Sequence, residues 1–388
     1  MAEIPKLRGA WLEDPALQGI CRMLEDNGHQ AFLVGGCVRN ALMEMPVTEV
    51  DIATEAPPDR VMELAVSHGL KAVPTGLDHG TVTLVNDAQA FEVTTFRRDV
   101  DTDGRHAVVA FGRDIAEDAG RRDFTVNALY SIRNGTVSDP LGGFPDIAAR
   151  RIRFIGDAHL RIREDYLRIL RFFRFHAWYG RAGDDPDAEG LSACAELADG
   201  IDRLSRERVG AEMLKLLAAP DPAPVLATMQ GAGILRHALT GAGSARIAPL
   251  VTAEAALGLA PDPLRRLAAL GADAPEQHLR LSRKQARALD TLCADPAGGA
   301  AELGHRHGAQ TALDLLALRA ARSAAPPATD WRAEAARGAA ARFPLQASDL
   351  MPDYEGAALG ARLRTLEARW IASDFRLTRA DLLAPDTP

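Results

Sequence analysis

A chain of 388 residues has room for two or three domains, each with its own core. Its net charge of −8 excludes a protein that coats nucleic acid indiscriminately, so any polyanion site has to be a local basic patch. The four cysteines, Cys21, Cys37, Cys194 and Cys293, lie far apart without paired spacing and argue against zinc and disulfides. Aromatics supply only 5% of the residues, which predicts a mostly helical core of Leu, Ala and Val. With no signal-peptide pattern and no run of about eighteen apolar residues, the expected location is the cytoplasm, with no membrane partner.

Residues 11–27 place Leu12, Leu17, Ile20, Met23 and Leu24 at helical spacing, and Gly28 closes that helix. Residues 32–54, FLVGGCVRNALMEMPVTEVDIAT, then read as a short buried strand, a glycine pair, a brief helix and a second strand. Gly35 and Gly36 let the backbone pass close to a ligand, and the free N–H groups opening the helix suit an anion. Glu49 and Asp51 alternate with Val50 and Ile52, so a strand turns both carboxylates to one face. Two acids so placed repel one another and are held by a divalent cation; hard oxygen ligands suit Mg2+. Taken alone, a solvated strand face explains the same alternation.

Residues 57–69 predict a helix opened by Pro57-Pro58 and closed by Gly69. Strands are expected at 81–85, 91–96 and 107–111, giving an α+β sheet beside the first two strands. Glu92, the only acid in FEVTTF, either completes a carboxylate trio with Glu49 and Asp51 or is an ordinary exposed strand residue. Residues 97–106, RRDVDTDGRH, read as a mobile loop beside the site, a lid or a plain hairpin loop. In RRDFTVN, Arg122 could hold phosphate or ribose, Asp123 could accept from a sugar hydroxyl, and Asn127 follows.

Between residues 150 and 174 eight arginines face three acids, Asp157, Glu164 and Asp165, a basic stripe in an acidic chain. As one helix it would bury Ile162, Tyr166, Ile169, Leu170 and Phe173 and set Asp165 and Arg168 three apart on another face. An i, i+3 salt bridge accounts for that spacing as well as a ligand contact does. Beyond about residue 200 helical spacings and alanine dominate, with breaks at Pro220, Pro222, Pro224, Pro261, Pro263, Pro326 and Pro327.

GGCVRN, EVD, FEVTTFR, RRDFTVNAL, DPLGG and REDYLRILRFFRF, in this order, resemble the class II tRNA nucleotidyltransferase and poly(A) polymerase family, part of the polymerase-beta-like nucleotidyltransferases. A weaker likeness runs through 204–217 and 349–367. The resemblance implies a mixed-sheet nucleotidyltransferase head at 1–148, a helical neck at 149–218 and a helical body and tail at 219–388 that binds tRNA. It places triphosphate binding on Gly35, Gly36 and Arg39, metal ligation on Glu49 and Asp51, and ribose recognition on Arg122 and Asp123; Glu92 joins the catalytic acids on the strand reading alone. The family's EDxxR motif, which reads the base, falls on Glu164, Asp165 and Arg168, with Arg171 and Arg174 following; Glu164 would orient its neighbours. A carboxylate acceptor beside a guanidinium donor matches cytosine or adenine and mismatches guanine and uracil.

The sequence departs from the family at Glu49 and Asn40, where aspartate is usual. The expectation is CCA addition to tRNA from CTP and ATP, with no DNA partner. Adenosine-only addition and polyadenylation share the same chemistry. A non-catalytic RNA-binding relative is the alternative that Glu49 favours. A small-molecule nucleotidyltransferase would need neither the arginine stripe nor the long helical tail.

Overall fold

The computed structural model describes residues 4–384 except 78–79, 87–88, 104–105, 113 and 324, with residues 98–111 described by backbone alone. The chain divides into two compact units, one of residues 1–241 with 277–280 and one of residues 242–276 with 281–388.

The first unit is built on a seven-stranded mixed sheet. Its strands are β1 (Phe32–Val34), β2 (Asp51–Thr54), β3 (Lys71–Gly76), β4 (Thr81–Asn86), β5 (Gln89–Thr95), β8 (Tyr130–Ser131) and β9 (Val137–Ser138), in the order β3-β4-β5-β2-β1-β8-β9. The pair β2–β5 is parallel and the other neighbours are antiparallel. A separate ribbon pairs β6 (Arg97–Asp103) with β7 (His106–Phe111). This corrects two expectations: residues 97–103 form a strand rather than a loop, and 107–111 pairs with that strand and not with the main sheet. The segment RRDVDTD is polar on both faces, so no apolar alternation signals its strand; the ladder to apolar β7 holds it.

Helices of this unit are α1 (Pro15–Asp26), α2 (Gly36–Leu42), α3 (Pro58–Ser67), α4 (Ile115–Gly120), α5 (Phe144–Ala149), α6 (Ala158–Glu164), α7 (Leu167–Tyr179), α8 (Ala188–Glu196) and α9 (Arg206–Leu217), followed by Ala223–Gly231 and Leu235–Ala238. Asp14 caps α1 by accepting from the N–H groups of Ala16 and Leu17, at 2.8 and 3.1 Å. Asp139 of DPLGG anchors the start of α5, accepting from the N–H groups of Gly143 and Phe144 at 2.7 and 2.9 Å. Gly143 is needed there, because a Cβ would stand 2.4 Å from the Thr125 carbonyl oxygen.

The helix expected through the arginine stripe is two helices. Asp165 is extended (φ −156°, ψ 105°) and breaks α6 from α7. Phe172 and Phe175 of α7 pack on Phe124, at ring separations of 6.2 and 5.1 Å, and Phe172 stacks on Phe154 at 5.3 Å, seating α7 against the sheet-bearing region. The second unit is helical, and one of its clusters gathers Leu345, Leu350, Leu366, Trp370 and Leu382. No helix among the described residues is long and apolar enough to cross a membrane.

Candidate active site

The glycine turn lies at the end of β1. Gly35 holds φ 72° and ψ −122°, a conformation closed to side-chain-bearing residues, and Gly36 opens α2. A Cβ at Gly35 would stand 3.6 Å from Arg122 Nη1 and 3.9 Å from Asp51 Oδ2. The turn therefore threads between a guanidinium and a carboxylate.

Register sets the acids. Asp51 of β2 is the direct partner of Glu92 on parallel β5, and both residues lie on the open side of the sheet while Ile52 and Val93 are buried behind them. Glu49 lies outside the strand, which begins at Asp51, correcting the expected four-residue alternation. On one side β1 ends at Val34, opposite Asp51, and turns away at Gly35, so residues 49 and 50 lose that neighbour; the pairing with β5 also starts at Asp51, although β5 itself reaches back to Gln89. Burial pushes the Asp51 carboxyl up, Glu92 and Glu49 push it further, and Arg122 opposes them. Among the described residues no group of three His, Cys, Asp or Glu side chains stands ready-made around a metal ion. In kind, the donors fit a hard divalent cation: three carboxylates, close enough for their mutual repulsion to raise one of them.

Arg122 is aimed at this acidic face from a buried mount. Its Nε and Nη2 donate to Asp118 Oδ2 at 3.2 and 3.0 Å, and Nε also donates to the Tyr130 hydroxyl at 3.1 Å, leaving Nη1 turned toward Gly35. Asp118, 1% exposed, also accepts from Arg121 Nε at 2.8 Å and from the Tyr130 hydroxyl at 2.7 Å. Burial works against its charge, but Arg122, Arg121 and Tyr130 more than offset it and hold the carboxyl at about 2. Sequence reasoning missed Asp118, although its place three and four residues before Arg121 and Arg122 on α4 was a usable signal. Tyr130 carried no such signal, since the sheet alone brings it near.

Asp123 is also buried. Its Oδ1 accepts from Asn127 Nδ2 at 2.9 Å and from the Phe124 N–H at 2.8 Å, and Oδ2 accepts from Arg171 Nε and Nη2 at 2.8 and 2.5 Å. Arg39 is enclosed beside Asn127, with Nη1 donating to Asn127 Oδ1 at 2.6 Å and Nε and Nη2 to Asn40 Oδ1 at 3.1 and 2.8 Å.

In the helical segment that follows, Asp165 and Arg168 do not pair with each other. Asp165 Oδ2 accepts from Arg208 Nη2 of α9 at 2.6 Å, while Arg168 pairs with Glu164 and donates to the Arg161 carbonyl at 2.7 Å. Asp165 instead opens α7: its Oδ1 accepts from the Leu167 N–H at 3.1 Å and its carbonyl from the Arg168 N–H at 3.0 Å, so the two residues meet through the backbone and not through their side chains. Glu164 also accepts from Arg161 at 2.8 Å. Arg174 Nε donates to Glu212 Oε2 of α9 at 2.5 Å. The basic stripe is thus largely compensated: Arg151 and Arg153 pair with buried Asp146, Arg161 and Arg168 with Glu164, Arg171 with Asp123 and Arg174 with Glu212. Asp146 and Glu212, both buried, are the acids that the stripe's composition hid.

Residues 31–153 match the family model of the poly A polymerase head domain, and residues 185–242 match a probable RNA and SrmB-binding site of polymerase A. The mitochondrial CCA tRNA nucleotidyltransferase 1 of Mus musculus is 39% identical over 225 residues, 57% of this chain and 51% of that protein. The CCA-adding enzyme of Geobacillus thermodenitrificans is 41% identical over 218 residues, 56% of this chain and 52% of that one. The matched stretch spans about half the length of these relatives. Among solved structures, the Bacillus stearothermophilus CCA-adding enzyme in complex with CTP superposes with a TM-score of 0.72 at 28% identity, over 94% of this chain and 93% of that one. The Thermotoga maritima CCA-adding enzyme complexed with tRNA shares the fold, with a TM-score of 0.68 at 18% identity over 97% and 98% of the two chains. The mixed sheet, the glycine turn and the strand acids all lie within residues 31–153, the stretch that matches the poly A polymerase head domain.

Proposed function

We propose that this protein adds CCA to the 3′ end of tRNA from CTP and ATP without a nucleic-acid template. The observation that carries the reading is the pairing of Asp51 with Glu92 on parallel strands, facing Arg122 Nη1 across the glycine turn. Acids beside a guanidinium at a turn without side chains suit a triphosphate that has to be gripped and neutralised at once. A divalent cation, proposed as Mg2+ and held by Glu49 and Asp51, would supply charge neutralisation at the reacting phosphate.

The RNA 3′-hydroxyl attacks the α-phosphate in line, the bond to the bridging oxygen breaks, and pyrophosphate leaves. Gly35 and Gly36 give the triphosphate room, Arg122 Nη1 meets its negative charge, and Glu92 stands beside Asp51 on the acidic face. Asp123, Asn127, Arg171 and Arg174 are proposed to contact the nucleotide, the first two linking the glycine turn to Arg171 of α7 and Arg174 lying one turn further along that helix, and Asp165 and Arg168 are proposed to read the base. For Asp165 to do so, its carboxylate has to exchange Arg208 for the base, and Arg168 has to turn from Glu164. The head at 1–148 would do the chemistry, the neck at 149–218 read the nucleotide, and residues 219–388 hold tRNA, in the cytoplasm.

The test is extension of three tRNAs, ending before CCA, after C and after CC, with labelled CTP or ATP and magnesium. Two cytidines followed by one adenosine are expected. Adenosine addition only to the CC end would mean an A-adding enzyme, long adenosine tracts a poly(A) polymerase, and no transfer a non-catalytic RNA-binding relative.

A further inference from the structure

Arg39 does not reach out of the protein. It is 6% exposed and folds back along the glycine turn, with Nη2 3.7 Å from where a Cβ on Gly36 would stand. Besides its bonds to Asn40 and Asn127, Nη2 donates to the Tyr179 hydroxyl at 2.8 Å, and its guanidinium carbon lies 3.8 Å from the Tyr179 ring centre and 5.2 Å from that of Phe175. Phe175 and Tyr179 belong to α7, which also carries Arg168, Arg171 and Arg174. A second route starts at the same guanidinium: Nη1 to Asn127, Asn127 to Asp123, and Asp123 to Arg171 in the middle of α7. The helix is thereby tied to the glycine turn at two places about 12 Å apart along its axis, so it cannot pivot about either.

We propose that Arg39 is a positioning residue for base selection. It holds α7 at one height and rotation over the glycine turn, so that the two ends of one nucleotide, triphosphate and base, meet groups at a fixed spacing. This rests on the nucleotidyltransferase reading above. Discrimination between cytosine and uracil depends on a donor and an acceptor placed to within hydrogen-bond tolerance, and a helix free to shift would satisfy both bases.

Two conservative variants test the tie. Tyr179→Phe keeps the ring and removes the hydroxyl acceptor; Arg39→Lys keeps the charge and removes the fork. Equilibrium binding of CTP, UTP and inorganic triphosphate is measured with single-turnover transfer of CMP and UMP to tRNA lacking CCA. The expected result is a preference for CTP over UTP that falls about tenfold in both variants, with triphosphate affinity unchanged. If Arg39 instead gripped phosphates, Arg39→Lys would weaken all three ligands alike and Tyr179→Phe would change nothing, which overturns the proposal. A wild-type protein that prefers CTP in binding yet transfers nothing would sink the transfer reading and leave the positioning comparison readable from binding. A wild-type protein that binds CTP and UTP equally would overturn the positioning proposal itself.

Discussion

Arg265 and Arg266 in the second unit are 1% and 0% exposed, and Arg39 in the first is 6% exposed, yet their surroundings differ in kind. Glu254 accepts from Arg265 Nε at 2.9 Å and from Arg266 Nη2 at 2.8 Å, and Arg265 Nη1 donates to Asp314 at 2.6 Å, so two guanidiniums meet two carboxylates. Arg39 meets only neutral acceptors, Asn40, Asn127 and Tyr179, and Asp123 lies one amide further on. Burial lowers the Arg39 pKa, with Tyr179 and Asp123 opposing. The balanced cluster is closed and fastens the helices Ile247–Ala256, Pro263–Leu270 and Ala309–Ser323 to one another. The under-compensated one directs its guanidinium to neutral groups of α2, the Asn127 segment and α7, so it fastens these elements by geometry rather than by charge balance.

The largest effect should come from breaking the balanced cluster. Glu254→Ala strands two buried guanidiniums with one carboxylate and is expected to cost about 3–5 kcal/mol of stability, read as a lower urea midpoint, while CTP binding persists in conditions where the protein stays folded. A midpoint within a few tenths molar of the parent would show that the cluster is not the fastening described. Next, Asp51→Ala is expected to reduce nucleotide transfer by at least about a hundredfold with the midpoint nearly unmoved, because the carboxyl stands beside Glu92 and Glu49, whose repulsion its removal relieves. Retained turnover would remove Asp51 from the reaction.

The smallest effect sharpens the comparison through pH. Asp118 is held at about 2, below its ordinary 3.8, so its contribution is fully present above about pH 4 and is lost as pH falls toward 2. That shift corresponds to about 2 kcal/mol. Asp118→Asn should therefore lower stability by an amount constant between about pH 5 and 7 that shrinks below about pH 4. A deficit independent of pH would assign the loss to packing rather than charge.

Local features of the site were legible in the sequence. The strand, glycine pair, short helix and strand of residues 32–54 follow from apolar runs and glycine chemistry acting over a few residues, and the structure has all of them. What stayed hidden were partners chosen by tertiary contact. Asp165 turns to Arg208 because one extended residue ends α6, and no helical spacing anticipates that exchange. The arginine stripe looked like free positive charge because Asp123, Asp146 and Glu212, which neutralise much of it, all lie outside the run without periodic relation to it. Residues 97–103 hid their strand for the opposite reason: polar side chains on both faces carry no burial signal.

The parallel pairing of β2 with β5 also bears on how the protein comes into being. Asp51 and Glu92 are about forty residues apart in sequence, and α3, β3 and β4 must be laid down between them before the two strands can meet. Contacts of such separation carry a loop-closure cost and form slowly, whereas the glycine turn and α2 are local and can form early. A chain emerging during synthesis thus acquires its glycine turn before its acidic face, and the still more distant pairing of β1 with β8 after both. Competence arrives with the closing of the sheet, and a partly folded copy has a cradle but no chemistry.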